Sequence, residues 1–289
     1  MATKTLCENI NQAINDFNDI KQAIISKGQE VPDGTDTSQY DDIILEIETG
    51  GGGGKGIDTS AVTNFKNFCR RNRLLDQIKN IDTSSGTDFS YMFWESTELE
   101  TLPKLDTSNG TNFYYMFDGC NALTTVPQLD TSNGTNFSRM FCNCSALATF
   151  PELDTSKGTN FSYMVASCIA LTTIPELDTS SGTDFSYMFQ NCRSVETIKL
   201  TSFKSGTNMF SSCLELKNLI ISGTITVQNN YFNLSNSSKL TADSLLNVLN
   251  ALADNTGGTT YKITLGSTNL AKLTDEQKAI ATNKNYTLA

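Results

Sequence analysis

Apolar residues recur along the middle of the chain with a fixed internal pattern. In the stretch DTSNGTNFYYMFDGCNALTTVPQL, Asp106 to Leu129, Phe113, Met116, Phe117 and Cys120 stand at offsets of 3, 4 and 7. That spacing predicts a short helix with all four on one face. Thr111 or Asn112 can cap it, because a side-chain oxygen there accepts from a free backbone N–H. Leu123, Val126 and Leu129 follow as the apolar positions of a short extended stretch that ends near Pro127. Asp106, Thr107 and Ser108 then turn the chain, aided by Gly110, which tolerates positive φ. The triplet Asp-Thr-Ser returns at Asp58, Asp82, Asp106, Asp130, Asp154 and Asp178, always 24 residues on. Six units run from Asp58 to Thr201. A seventh keeps Gly206, Met209, Phe210 and Cys213 in order and has lost three residues after Asn208. One unit cannot bury its apolar face alone, whereas stacked units share a continuous core. The expected middle is therefore an α/β leucine-rich-repeat solenoid over 57–227. At a parallel-strand spacing of about 4.8 Å per coil, six coils give a rod of roughly 30 Å.

The ends follow other patterns. Leu6, Ile10, Ala13, Phe17, Ile20 and Ile24 are spaced 4, 3, 4, 3, 4, an a/d seam of nearly three heptads. A second helix, Ser38 to Glu48, offers Tyr40, Ile43, Ile44 and Ile47. Residues 1–49 read equally as a helical hairpin and as an oligomer seam, since both need one apolar stripe; both hold if the hairpins trimerise. The glycine-rich segment 50–56 reads as a flexible linker. After the repeats, Leu216 to Val227 is strand-like and continues the stack. Residues 228–289 form a small α+β cap: a helix over Thr241 to Ala253, a strand over Tyr261 to Leu265, a helix opened by the capping box at Thr274 and Gln277, and an edge strand at Tyr286 to Leu288.

Composition narrows the chemistry. With 289 residues and 38% hydrophobic content, the chain can bury a sizeable core. Its formal charge of −10 repels phosphate backbones, so nucleic-acid binding is not expected. No stretch is apolar enough to span a bilayer, and Met1 to Gln12 lacks the pattern of a secretory signal, so synthesis in a cytoplasm is expected. There is no histidine, which removes the commonest general base and metal ligand. No catalytic residues, cofactor or metal are expected.

Read as columns, the repeats offer several candidate surfaces. Cys120, Cys144, Cys168, Cys192 and Cys213 share the buried face with Met and Phe and read as structural thiols, because buried free cysteine behaves as a small hydrophobe. The aspartate column, Asp58 to Asp178, reads as side chains bonded to the backbone of their own turns rather than as calcium ligands. Identical environments along it also disfavour paired acid–base catalysis. Thr101, Thr125, Thr149, Thr173 and Thr197 fit a strand ladder beside the polar positions Lys104, Gln128, Glu152 and Glu176. Tyr91, Tyr115, Tyr163 and Tyr187, interrupted by Arg139, flank the buried face with Trp94 and Tyr114 nearby. These seven are the candidate binding residues, since sugars and protein surfaces both favour Tyr, Trp and Arg. The alternative is that the rings are half-buried spacers packed on neighbouring coils.

The unit DTSxGTNFSYMFxxCxALTTxPxL resembles the BspA-type leucine-rich repeat of bacterial surface proteins and mycoplasma lipoproteins, usually written DTSxVTxMxxMFxxC. Valine survives only as Val62, and Gly86, Gly110, Gly134, Gly158 and Gly182 replace it. Phe89, Phe113, Phe137, Phe161 and Phe185 replace the first methionine. The resemblance implies adhesion or partner binding and names no ligand. The segment from Ala23 to Ile47, AIISKGQEVPDGTDTSQYDDIILEI, resembles a short module of phage tail and tail-fibre proteins. The C-terminal end is similar to tails that follow BspA-type repeats in phage-encoded proteins. These resemblances lead to the expectation of a non-enzymatic virion component, made in the host cytoplasm. It would bind a bacterial surface receptor, glycan or protein, through the solenoid, join other tail proteins through its N-terminus and form a homo-oligomer. A purely structural spacer of the tail or baseplate is the second expectation.

Overall fold

In the computed structural model, residues 62–71 and 81–289 are described. The expected hairpin, the seam from Leu6 to Ile24 and the glycine-rich linker lie outside them, as does Asp58. The middle is a parallel stack of coils at the expected 24-residue step. Asn64, Asp88, Asn112, Asn136, Asn160 and Asp184 bridge in parallel, each to the next.

The expected helix in each unit is absent. Its place is taken by a run of tight turns whose N–H groups alternate in direction. Those of Phe113, Tyr115, Phe117 and Gly119 donate to carbonyls of the next coil, at Asn136, Ser138, Met140 and Cys142. Those of Met116, Asp118 and Cys120 donate back three residues, to Phe113, Tyr115 and Phe117. Half of the donors a helix needs for itself are thus used to hold coils together. Asn112 does not cap a helix. Its Oδ1 accepts the Tyr114 N–H at 3.2 Å, closing an Asx turn at the start of the run. The four apolar residues still reach the core, because a chain of turns returns every third or fourth side chain to one side, as a helix does. Phe113, Met116, Phe117 and Cys120 are all fully buried.

The core is organised as columns. Phe65, Phe89, Phe113, Phe137, Phe161 and Phe185 stack in sequence with ring centroids 5.5–5.9 Å apart. Phe93, Phe117 and Phe141 form a second stack at 5.4–5.5 Å. Gly110 is not in a positive-φ conformation, contrary to the reading of the turn. It is needed for space: a Cβ there would lie 2.6 Å from Phe113 Cζ and 2.9 Å from the Thr107 carbonyl. In this coil the phenylalanine ring takes the volume that a valine side chain would need, whereas in the first unit Val62 and Phe65 are buried together.

The ladder also relocates the irregularity in the seventh unit. Tyr187 donates to Thr207 and Phe189 to Met209, so the step there is 21 residues and the missing three precede Thr207, not follow Asn208. In that register Phe203 stands in the place of Gly182, and Gly206 in the place of Phe185. Glycine and phenylalanine have exchanged positions, and the Phe203 ring, 6.1 Å from Phe185, continues the column edge-on.

Regular strands begin only at this end. β1 (Thr197–Leu200) pairs in parallel with β3 (Asn218–Ile221), and β2 (Phe203–Lys204) with β4 (Ile225–Thr226). The predicted threonine ladder is confined to the bridge of Thr173 to Thr197 and to β1, which Thr197 opens. Thr101, Thr125 and Thr149 are exposed on irregular backbone.

Helix α1 (Ala242–Ala251), N-capped by Thr241, closes the stack within the expected helical span. The Leu219 N–H donates to Ser244 Oγ at 2.8 Å, and the Ile221 N–H donates to Asn247 Oδ1 at 2.8 Å. These side chains stand in for a further strand and blunt the edge of β3. β5 (Tyr261–Ile263), α2 (Ser267–Leu270), α3 (Asp275–Asn283) and β6 (Tyr286–Leu288) complete the chain, with β6 parallel to β5. The capping box at Thr274 and Gln277 forms as predicted. Lys284 Nζ donates to the carbonyls of Asn250 and Leu252 at 2.8 and 2.7 Å, satisfying acceptors at the C-terminus of α1. Among the described residues, no helix is long and apolar enough to cross a membrane.

Candidate functional site

The turn run that replaces the helix fixes the aromatic column. Tyr91, Tyr115, Tyr163 and Tyr187, with Arg139, occupy the same place in successive coils, and all five are left-handed, with φ between 56 and 60°. That conformation costs an L-residue about 1–2 kcal/mol, and asparagine bears it better than most. The two ends of the column are indeed asparagines, Asn67 (φ 60°) and Asn208 (φ 51°). The other left-handed column runs through Arg71, Glu95, Gly119, Asn143, Ser167, Asn191 and Ser212, and is small or amide in five of those seven coils. Tyrosine and arginine in the middle of the first column are thus not what the backbone prefers.

Stacking offsets part of this cost. Tyr91 lies on Tyr115 with centroids 4.9 Å apart and planes at 22°. Tyr163 lies on Tyr187 at 4.5 Å and 12°. The Arg139 guanidinium fills the gap between the pairs, with Cζ 5.1 Å from the Tyr115 centroid and 4.1 Å from that of Tyr163. Each such aromatic contact contributes about 0.5–1.5 kcal/mol. Trp94 and Tyr114 join one end. Tyr91 meets Trp94 edge-on at 5.6 Å and Tyr114 at 5.2 Å, and Tyr114 meets Tyr115 at 4.4 Å. The seven residues singled out in the sequence form one continuous, half-buried strip.

Burial and the neighbouring Tyr114 hydroxyl push the Tyr91 phenol up to about 12; burial pushes Tyr115 up to about 12 as well, so both stay protonated donors. The Tyr163 phenol is also raised, first by burial. The hydroxyls of Tyr163 and Tyr187 make no hydrogen bond among the described residues and are not buried.

Three further side chains belong to the strip. Arg70 lies 3.9 Å above the Trp94 ring. Arg71 Nη2 pairs with Glu95 Oε2 at 2.6 Å. Asp118 is buried beneath Arg139, where its Oδ1 accepts from Asn143 Nδ2 at 2.9 Å and its Oδ2 lies 3.7 Å from Arg139 Nη1. Burial raises the Asp118 pKa, opposed by the Asn143 hydrogen bond and by Arg139. Their signal in the sequence is the 24-residue step itself, which sets Arg70 against Trp94 and Asp118 against Cys142.

The other columns are structural. Each thiol of the cysteine column donates to a carbonyl of the preceding coil, as Cys120 Sγ does to Phe93 at 3.1 Å and Cys144 Sγ to Phe117 at 3.1 Å. Ser96 does the same in its own coil, to Cys69 at 3.1 Å. Burial raises these thiols, so they are held as un-ionised donors. The aspartates bond within their own turns, Asp130 Oδ1 accepting the Ser132 N–H at 3.0 Å and its hydroxyl at 2.7 Å. These bonds hold Asp130, Asp106, Asp154 and Asp178 below the usual carboxylate range. Among the described residues, no group of three or more cysteine and carboxylate side chains is placed to hold a metal ion.

Residues 52–150 and 122–223, together more than half of the chain, match the sequence profile of a family described as "Mycoplasma protein of unknown function, DUF285". One solved structure, the crystal structure of a T. pallidum leucine-rich-repeat protein (TpLRR), is similar at 17% identity, covering 57% of this chain and 77% of that one, with a TM-score of 0.44. No curated protein was found to be similar in sequence.

Proposed function

From the premise that the chain belongs to the DUF285 family, we propose that it is a non-enzymatic recognition module that binds a bacterial surface receptor through its repeat solenoid. The observation that carries this reading is the left-handed Tyr/Arg column. Backbone strain retained where asparagine would relieve it is a mark of a functional surface. Asn67 and Asn208 show that the position accepts asparagine in this same fold. A row of equivalent residues offers repeated weak contacts, and oligomerisation through the N-terminal segment would multiply them.

The particle we assign it to is a phage tail or tail-like structure. Support comes from the segment Ala23 to Ile47, whose likeness to tail and tail-fibre modules is independent of the repeats. That segment would then attach the rod to other tail proteins.

The test is binding of the labelled full-length chain to intact bacteria, beside a variant carrying Tyr163→Asn and Tyr187→Asn. Saturable binding that the double variant loses supports the reading. Equal binding by both removes the column from the site. Attachment to purified tails without affinity for any cell would favour a structural spacer.

A further inference from the structure

The rings of the column lie face to face along the rod, so their faces are covered by one another. What they present outward is ring edges and phenol hydroxyls. A sugar ring that needs an open aromatic face finds none between Tyr91 and Tyr115 or between Tyr163 and Tyr187. The strip is therefore suited to edge-on hydrogen bonding, with about one donor group per coil.

Arg139 breaks the row in a particular way. Both faces of its guanidinium are covered by tyrosine, which fixes its plane. Nη1 is turned toward the buried side, 3.7 Å from Asp118 and 3.8 Å from Cys142 Sγ. Nε and Nη2 have no partner among the described residues. A planar fork held at fixed orientation, with its remaining N–H groups unused, matches a carboxylate better than a flexible cation would. Of the nearest acids, Glu95 is paired with Arg71, and Asp118, buried and bonded to Asn143, engages Nη1 alone.

Resting on the reading above, we infer that Arg139 is a carboxylate subsite and that the ligand is an acidic polysaccharide lying along the column. The repeat distance argues for a saccharide over a peptide. Same-face side chains of an extended peptide recur roughly every 6.6 Å, out of step with coils about 4.8 Å apart. Successive sugars of an extended pyranose chain advance by a step close to that of the coils. The formal charge of −10 is no obstacle to a few carboxylates, because exposed charges more than about 8 Å away are screened at physiological salt.

The experiment uses the full-length chain and three probes: polygalacturonate, the same polymer with its carboxyls reduced to alcohols, and poly-glutamate. The variants are Arg139→Tyr, which places in this coil the residue that four others already carry, and Arg139→Lys. Thermal melts establish that both are folded. The wild type should bind polygalacturonate at least about tenfold more tightly than the reduced polymer. Arg139→Tyr should abolish that preference, and Arg139→Lys should restore only part of it. Equal wild-type affinity for the two polymers, absence of binding to either, or an unchanged preference in Arg139→Tyr would overturn the inference. Poly-glutamate bound as well as polygalacturonate would overturn the saccharide assignment. If Arg139→Tyr binds cells normally while the Tyr163→Asn, Tyr187→Asn variant does not, the inference fails and the broader reading stands. If all of them bind cells alike, the broader reading fails.

Discussion

The buried hydroxyl of Thr131 donates a 2.8 Å hydrogen bond to the carbonyl of Asp154 in the next coil. Thr83, Thr107 and Thr155 repeat the bond to Asp106, Asp130 and Asp178. At Thr179 the ladder stops. The step shortens after this coil, and the Thr179 hydroxyl is buried without a partner. Removing a paired buried hydroxyl leaves its acceptor unsatisfied, whereas removing an unpaired one relieves a desolvation penalty. Thr131→Val should therefore lower stability by about 1–2 kcal/mol, and Thr179→Val should raise it by about 1 kcal/mol. Denaturant titration of the two variants decides this, and a loss of stability in Thr179→Val would contradict it.

The volume exchange between Gly110 and Phe113 gives a coupled prediction. Gly110→Val alone would drive a side chain into the Phe113 ring and should cost about 1–3 kcal/mol. Phe113→Met alone opens space in the phenylalanine stack and should also destabilise. The double variant restores the usual family pair and should cost less than the sum of the singles by 1 kcal/mol or more, within the range of about 0.5–3 kcal/mol known for touching residues. Additive losses in a double-mutant cycle would show that the two positions are independent.

The thiols offer a chemical probe. Cys120, Cys144, Cys168, Cys192 and Cys213 are fully buried and donate to backbone carbonyls. Thiolate is the reactive form, and burial opposes it at each of these positions. Iodoacetamide at pH 8 should leave these five unmodified in the folded protein and alkylate them all in denaturant, as read by peptide mass spectrometry. Because Ser96 fills the same role, Cys120→Ser should be tolerated better than Cys120→Val, which keeps bulk but loses the donor.

The repeat, its period, the buried columns and the elements of the cap other than the short helix α2 were legible in the sequence, because each rests on spacing. The helix was not. Offsets of 3, 4 and 7 describe any backbone that returns every third or fourth side chain to the core, and a run of turns does so while sending alternate N–H groups to the next coil. The distinguishing signal was the column of Gly119, Asn143, Ser167 and Asn191, residues that suit a left-handed turn and weaken a helix. Gly110 was misread for a related reason: glycine marks either positive φ or absent volume, and only the Phe113 ring decides which. That the seven candidate residues lie together was legible because repeats turn sequence columns into spatial ones. Asp118 was missed because its importance lies in being buried next to Arg139 of the following coil, a pairing that the step aligns and that no other coil repeats.

Two groups of carboxylates should respond to pH with opposite sign. Asp106, Asp130, Asp154 and Asp178 are held below the usual range by hydrogen bonds from the serine two residues on, hydroxyl first and backbone second. Their contribution is present above the unfolded carboxylate pKa and is lost as pH falls through the lowered folded value. Asp118 is raised by burial. Its folded pKa lies above the unfolded one, so its contribution favours the fold below the unfolded pKa and is lost as pH rises through the folded value. Asp118→Asn keeps an acceptor for Asn143 Nδ2 and removes the buried charge. It should raise the melting temperature at pH 7 relative to wild type, with the gain shrinking toward pH 4. Ser132→Ala and Ser156→Ala together should flatten the acid side of the profile, because the serine hydroxyls are the main cause of the lowered values. Melting temperatures between pH 3 and pH 8 test both. An Asp118→Asn variant less stable than wild type at pH 7 would mean that the contact with Arg139 outweighs the cost of burying the carboxylate.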